Sequence, residues 1–390
     1  MRKVLRVLLV LVVLFGLLVL GGVLFLRHRV DQEADARRAT MEKGFATWHA
    51  EVLKDHQWLA GLDFFRPVSG PDAGPFLNPR IPWSGPERVL AKWTASLPKD
   101  TPSLKLDPAA TDGLRKGDWL EADPALYEKL DFGWMGLLAG YGFWDVEKAS
   151  PWTVGEPFER IEAPLPTVMH LLSWAKLRLA KGMKEGQPAQ SGAEVRALAR
   201  LCFSTEMLLG EMVAVAMLGL EDEARARAAA KGLPVDRWTT LDEPSRKRIK
   251  RALWVIPAYV ALDTPEAHGR DVEAIKVGRC AALNESTLFA LALRPLLRDS
   301  RTADFERVGR NLELAKECRL SSLRAAWAAP DDPARDPLLG EKACLMGGAP
   351  SADCRLTRMV HWLPGARRFT GEVMLSVASP EWFGQYAHPK

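Results

Sequence analysis

Between Val7 and Leu26 the chain reads VLLVLVVLFGLLVLGGVLFL, 20 residues without a charge. A helix of that length is ~30 Å long, the thickness of a bilayer's hydrocarbon core. No second stretch of the 390 residues stays uncharged for so long, so the pattern predicts one membrane span and excludes a polytopic protein. A cleaved signal peptide is the competing reading, with a shorter apolar region and small residues at the cleavage site. Here the run ends in Phe25, Leu26, Arg27, His28 and Arg29, with no A-x-A pattern. The segment is therefore read as an uncleaved anchor that meets the lipid bilayer through residues 7–26.

Basic residues flank the run on both sides. Arg2, Lys3 and Arg6 precede it, and Arg27, Arg29, Arg37, Arg38 and Lys43 follow, so their count does not decide orientation. A short basic head running straight into an apolar core has the form of an export signal, and long domains translocate largely regardless of charge. The expected arrangement is a cytoplasmic amino terminus (1–6), an anchor (7–26) and an exported remainder. The richness in Ala, Leu and Arg suggests a bacterial inner membrane with the large domain in the periplasm.

Composition bounds the exported part. Apolar residues make up 47% and charged ones 26% of the chain, which excludes wholesale disorder, a collagen-like chain and a small disulfide-dense scaffold. The net charge of +4 shrinks to 50 basic against 49 acidic residues once the three basic residues of the head are set aside. No nucleic-acid partner is implied.

The apolar pattern predicts an all-α protein, with α-solenoid-like stacked hairpins compatible with it but no repeat to quote. Residues 27–60 read as an amphipathic juxtamembrane helix with Met41, Phe45, Trp48, Val52 and Leu59 on one stripe, packing back on its own domain rather than forming a coiled-coil dimer. Residues 61–160 hold twelve prolines, from Pro67 to Pro157, and interleaved tryptophans. Pro at this density forbids long helices, and aromatics argue against disorder, so short helices at about 86–97 and 124–141 in ordered loops are expected. From 161 to 330 the helical period dominates, with segments near 165–183, 191–230, 243–262, 265–278, 286–299 and 303–328. Caps are expected at Ser191, Asp242, Ser286 and Thr302, and kinks or stops at Pro257 and Pro295. No strand pattern competes. Residues 331–390 read as loop-rich, with a short helix near 352–363.

Chemistry-bearing motifs are sparse. The histidines make no metal motif: His49 and His56 lie about 10.5 Å apart along one helix, too far for one zinc. No HExxH, G-x-S-x-G or P-loop occurs, and Asp131-Phe132-Gly133 lacks the rest of a kinase. No cofactor or metal site is expected. Glu211 sits in the apolar run Leu201–Leu220, where an ionised group needs a partner or takes up a proton. Two carboxylates in that run, Glu206 and Glu211, argue against a second membrane span. With the run read as one helix, the two lie about 140° apart and share no face. Trp134, Tyr141, Phe143, Trp144 and Trp152, interleaved with Asp131, Asp145, Glu147, Glu156 and Glu159, supply what a glycan site needs: stacking platforms and acid/base groups. The alternative is a loop-rich region that uses Trp to anchor its core. The basic run from Arg246 to Arg251 reads as a solvated helix face.

Cys344 and Cys354 bracket a turn-prone loop containing Gly347, Gly348 and Pro350, and an exported domain would close it with a disulfide. A zinc site with His361 lacks a CxxC pair and a fourth ligand. Cys280 and Cys318 are the candidates for a second bridge, leaving Cys202 as a buried thiol. The leading functional reading is an anchored, exported helical module that binds or scaffolds, with another envelope protein or a glycan as partner. The alternative is a membrane-tethered glycan-active hydrolase.

Overall fold

The computed structural model describes residues 54–66, 68–114, 117–154, 164–261, 277–281, 283–284, 287 and 315–328, with isolated residues between 21 and 32. The chain divides into two compact units. One comprises Met1–His49, Leu293–Glu306 and Asp332–Lys390, and the other Ala50–Ala292 with Arg307–Asp331. The first lies almost wholly outside the described residues, as do the anchor at 7–26, Cys344, Cys354 and His361. Among the described residues no helix is long and apolar enough to cross a membrane.

The second unit is mostly helical. Its centre is α6 (Met169–Lys184), α7 (Pro188–Phe203) and α8 (Leu208–Ala230), with α9 (Glu243–Ala261) beside α8. The connection Glu185–Gln187 folds α7 back along α6, with Gly186 at φ +70 to make the reversal. Pro188 fits the first turn of α7, where its missing N–H is no loss. Ser191, predicted as a cap, sits inside that first turn and bonds back to the Pro188 carbonyl at 2.8 Å. Asp242 does cap α9: its carboxylate accepts the Ser245 N–H at 2.9 Å.

Leu171, Leu177, Leu198, Leu201 and Met217 are all fully buried between these helices. Each contributes about 1.5–3 kcal/mol by leaving water. In α8 the buried residues Gly210, Ala214, Met217, Glu221, Ala224 and Ala228 recur every three or four positions. Most are small, so α7 and α8 lie close along their length. A Cβ added at Gly210 would stand 2.6 Å from the Cys202 carbonyl.

Two expectations change at this level. The helix predicted over 191–230 is two helices, broken at Ser204–Met207 by Glu206 at φ +57. A helix predicted over 124–141 is a 3-10 turn at Pro124–Leu126, the short α5 (Gly133–Leu137) and a second 3-10 turn at Leu138–Gly140. Pro124 and the Asp131 cap on Gly133 each start a new element there. Among the described residues the only sheet is two residues deep, too short for a strand pattern to show in the sequence: Trp83–Ser84 pairs antiparallel with Leu165–Pro166.

The Pro-rich section also contains α2 (Gly74–Leu77), α3 (Glu87–Ser96) and α4 (Pro108–Gly113). Residues 68–78 lie against 141–148 through the Ala73 N–H on the Phe143 carbonyl at 2.8 Å and Gly142 on Pro71 at 3.0 Å. Gly70 and Gly142 permit this approach: a Cβ at Gly70 would lie 2.6 Å from the Gly142 nitrogen. Residues 54–61 are helical, designated α1. Leu59 of that helix is fully buried, and Asp55 pairs with Arg248 of α9. The upper part of its apolar stripe, Met41 to Val52, is outside the described residues.

Candidate functional site

The acidic residues of the aromatic section are engaged in building it. Asp131 Oδ1 accepts the Gly133 N–H at 2.8 Å and caps α5. Asp145 Oδ1 accepts the Glu147 N–H at 2.9 Å. Glu147 in turn reaches across 175 positions to cap α10 (Ser321–Ala328), taking the Ser322 N–H at 2.7 Å and the Ser321 hydroxyl at 2.8 Å. Glu156 and Glu159 are outside the described residues.

The aromatic rings are occupied as well. Trp144 is fully buried, and Trp134 packs edge-on against Trp174. Tyr141 stacks on Phe76. The indole N–H groups of Trp83, Trp144, Trp152 and Trp174 bond to Asn78 O, Asn78 Oδ1, Pro164 O and Leu104 O. The tryptophans thus tie the Pro-rich segments to one another and to α6. Asn78 was not singled out by the sequence, yet it organises the region. Its amide donates to the Asp145 and Lys148 carbonyls at 2.9 and 2.7 Å while its oxygen accepts from Trp144.

The basic run at the start of α9 is laced to its surroundings. Arg246 pairs with Asp222 at 2.7 Å, Lys247 with Glu243 at 3.0 Å, and Arg248 with Asp55. Arg248 also lies over the Trp58 ring.

One cluster stands apart, at the break between α7 and α8. Glu206 Oε2 accepts the backbone N–H of Arg319 at 2.6 Å, and its Oε1 lies 3.0 Å from the Arg319 guanidinium. That guanidinium also donates to the Ser204 carbonyl and covers the Phe143 ring at 4.8 Å. Asn284 donates to the Glu206 carbonyl at 3.0 Å. Ser204 Oγ accepts the Trp144 N–H at 2.9 Å. Three segments distant in sequence therefore meet at the break, on Ser204 and Glu206. A disulfide between Cys280 and Cys318, with Cα atoms 5.4 Å apart, closes the cluster on one side.

Burial pushes the Glu206 carboxyl above its ordinary range, and the Arg319 charge opposes that only in part. Glu211 lies one turn into α8 and is nearly inaccessible. Burial, reinforced by the charge of Glu206, drives its pKa well above the ordinary 4.5 and so favours the neutral acid. The two carboxylates sit on different elements instead of on two faces of one helix, and the Glu206 charge is felt at Glu211.

The remaining titratable candidates are structural in their settings. His56 is buried, and burial lowers its pKa to about 4 against weaker opposing effects from the Ala252 backbone and the Asp55 charge. His170 is lowered by burial too. Cys202 is a buried free thiol whose ionisation burial strongly disfavours. Glu221 is wholly buried yet takes a two-toothed bond from Arg196 and one from the Trp238 indole.

The single group of His, Cys, Asp or Glu side chains close enough to hold a metal among the described residues is Glu206, Cys280 and Cys318. Sequence reading had no signal for it, because the three positions are separated by 74 and 38 residues with no CxxC spacing. Set against protein-family models, curated proteins and solved structures, the chain matches none of them.

Proposed function

We propose that this chain is a single-pass, envelope-anchored protein whose helical unit serves as an exported binding or scaffold module. Its amino terminus is cytoplasmic, its residues 7–26 lie in the inner membrane, and its partner is another envelope protein or a glycan. The observation that carries the reading is the use made of the acids among the aromatics. Asp131, Asp145 and Glu147 each hold backbone N–H groups in place, and Trp134 and Trp144 are buried. A hydrolase needs two carboxylates facing one accessible bond, separated by about 5–10 Å. The Cys280–Cys318 bridge suits an oxidising, exported setting.

Fractionation of the full chain tests the location. It is expected with membranes, released by detergent, and digested beyond residue 30 when protease is added to spheroplasts. Protection of the large unit would reverse the orientation. Incubation of the purified protein with cell-wall glycan strands tests the function, with no cleavage expected. Cleavage that Glu211→Gln abolishes would replace the module by the tethered hydrolase.

A further inference from the structure

The sulfur atoms of Cys280 and Cys318 and a carboxylate oxygen of Glu206 all lie within 4.8 Å of one another. We propose that in the reduced protein these three side chains bind a zinc-class divalent cation, and that the disulfide is the oxidised, metal-free form of the same site.

The donor set fits the ion. Thiolates select zinc and its neighbours over magnesium or calcium, and a carboxylate completes many such sites. Bonds of about 2.3 Å to sulfur and 2.0–2.2 Å to oxygen place the ligand atoms of a tetrahedral site roughly 3.5–4 Å apart. Opening the S–S bond lets the sulfurs reach that spacing, and the Glu206 oxygen is already within about an ångström of it. Three protein ligands leave the fourth position to water.

The surroundings of Glu206 suit a ligand. One N–H holds each oxygen: the Arg319 backbone on Oε2, the Arg319 guanidinium on Oε1. Each oxygen keeps a further lone pair for a cation. Outer groups that bond to and orient a ligating carboxylate are a general feature of metal sites. The backbone at Glu206 is left-handed, φ +57, where glycine would cost nothing and a side chain costs about 1 kcal/mol or more. Keeping glutamate there retains the carboxylate facing the two sulfurs.

Charge points the same way. Two thiolates and a carboxylate carry three negative charges, which Arg319 and, more weakly, Arg324 offset only in part. A divalent cation offsets two more. Glu211, buried one turn into α8, feels the Glu206 charge, and burial together with that charge favours its neutral form.

The exchange between the two forms balances with a small-molecule or protein disulfide as oxidant. The two zinc-bound thiolates give up two electrons, one Cys280–Cys318 S–S bond forms, and the cation leaves. The oxidant's S–S bond breaks, and its two sulfurs take up the electrons and two protons as thiols. Cys280 is half-buried and Cys318 buried, so Cys280 is the sulfur an exchange partner reaches first.

The test uses the detergent-purified full chain carrying Cys344→Ser and Cys354→Ser, so that Cys202 is the one other thiol. The protein is reduced with a phosphine, freed of reductant without air, and titrated with cobalt(II). Uptake of one cobalt per chain is expected, with a thiolate-to-cobalt charge-transfer band and tetrahedral visible bands that zinc abolishes. Unreduced protein should show neither. Glu206→Gln should weaken cobalt binding at least tenfold while keeping the far-UV helix signal. No band in the reduced chain overturns the proposal, as does a band that survives in the Cys280→Ser/Cys318→Ser double variant. The reduced chain with Glu206 intact decides the matter even if the Gln variant misfolds. The titration is made on purified protein, so it stands or falls apart from the membrane reading.

Discussion

Asn78 Oδ1 accepts the indole N–H of Trp144 at 2.8 Å, with both residues fully buried. The same amide holds two carbonyls of the 145–148 loop. Asn78→Leu therefore removes the partner of one buried indole N–H and of two part-buried carbonyls at once, and the buried donor alone costs about 1–3 kcal/mol before relaxation. Denaturant unfolding of the purified protein should show a loss of at least about 1 kcal/mol, although the new side chain is more apolar. An unchanged midpoint would mean that water replaces the amide.

Two glycines should respond in opposite senses to alanine. A Cβ at Gly192 would stand 2.4 Å from the Trp238 ring, whereas one at Gly136 meets nothing within 4 Å. Both are helical, so alanine gains up to about 1 kcal/mol in propensity. Overpacking against a rigid ring costs about 1–3 kcal/mol and wins at the first site. Thermal melts should place Gly192→Ala below the parent and Gly136→Ala level with it or above.

Arg178 and Glu194 join α6 to α7 through a bidentate pair at 2.6 and 3.2 Å, both side chains largely buried. Removing one partner leaves a buried charge alone, at about 3–5 kcal/mol. Glu194→Leu alone should therefore be severely destabilised. Arg178→Met combined with Glu194→Leu should recover most of that loss in the same unfolding assay. Additive single-variant costs would contradict the buried-pair account.

Glu211 carries a folded-state pKa raised well above 4.5. The native state then holds a proton that the unfolded chain has released, so stability falls as pH rises from about 4.5 toward the folded value. Glu211→Gln, which cannot ionise, should match the parent below pH ~4 and exceed it at neutral pH. A parent curve that stays parallel to the variant's across that range would contradict the assignment.

His56 works in the other direction. Its folded pKa is lowered from 6.5 to about 4, so the unfolded chain takes a proton first as pH falls. Stability is full above pH 6.5 and declines on acidification toward pH 4, by about 3 kcal/mol for a shift of this size. In His56→Leu that part of the acid sensitivity should vanish. A nuclear magnetic resonance titration of the imidazole giving an ordinary pKa would refute the premise.

The helical core was legible because its information is local and periodic: in α8 the buried positions Gly210, Ala214, Met217, Glu221, Ala224 and Ala228 recur every three or four residues. What was hidden depends on partners far along the chain. The break at Ser204–Met207 falls on a short polar interruption, Ser204-Thr205-Glu206, that a helix could also carry, and it is made without glycine, by a glutamate that Arg319 and Asn284 hold in place. Asn78 is one polar residue in a Pro-rich stretch, and its importance comes from Trp144, Asp145 and Lys148. The carboxylates at 131–147 looked like chemistry because sequence gives residue type and not hydrogen-bond direction. Each accepts a backbone N–H, from Gly133, Glu147 and Ser322 respectively, which makes them struts of the turns and helix starts around them.

The Cys280–Cys318 bond has a mechanical meaning. The chain leaves the helical unit after Ala292 and rejoins it at Arg307, and the disulfide joins Cys280, before that departure, to Cys318, after the return. A pull applied through residues 293–306 reaches a covalent clasp before it reaches α10. While the clasp is closed, tension on the excursion does not peel Arg319 from Glu206. Lengthening the excursion is also cheap, since doubling a loop costs only about 0.6 kcal/mol in closure entropy. A single-molecule tether attached there should therefore report a stiff, non-yielding path in oxidised protein and a compliant one after reduction.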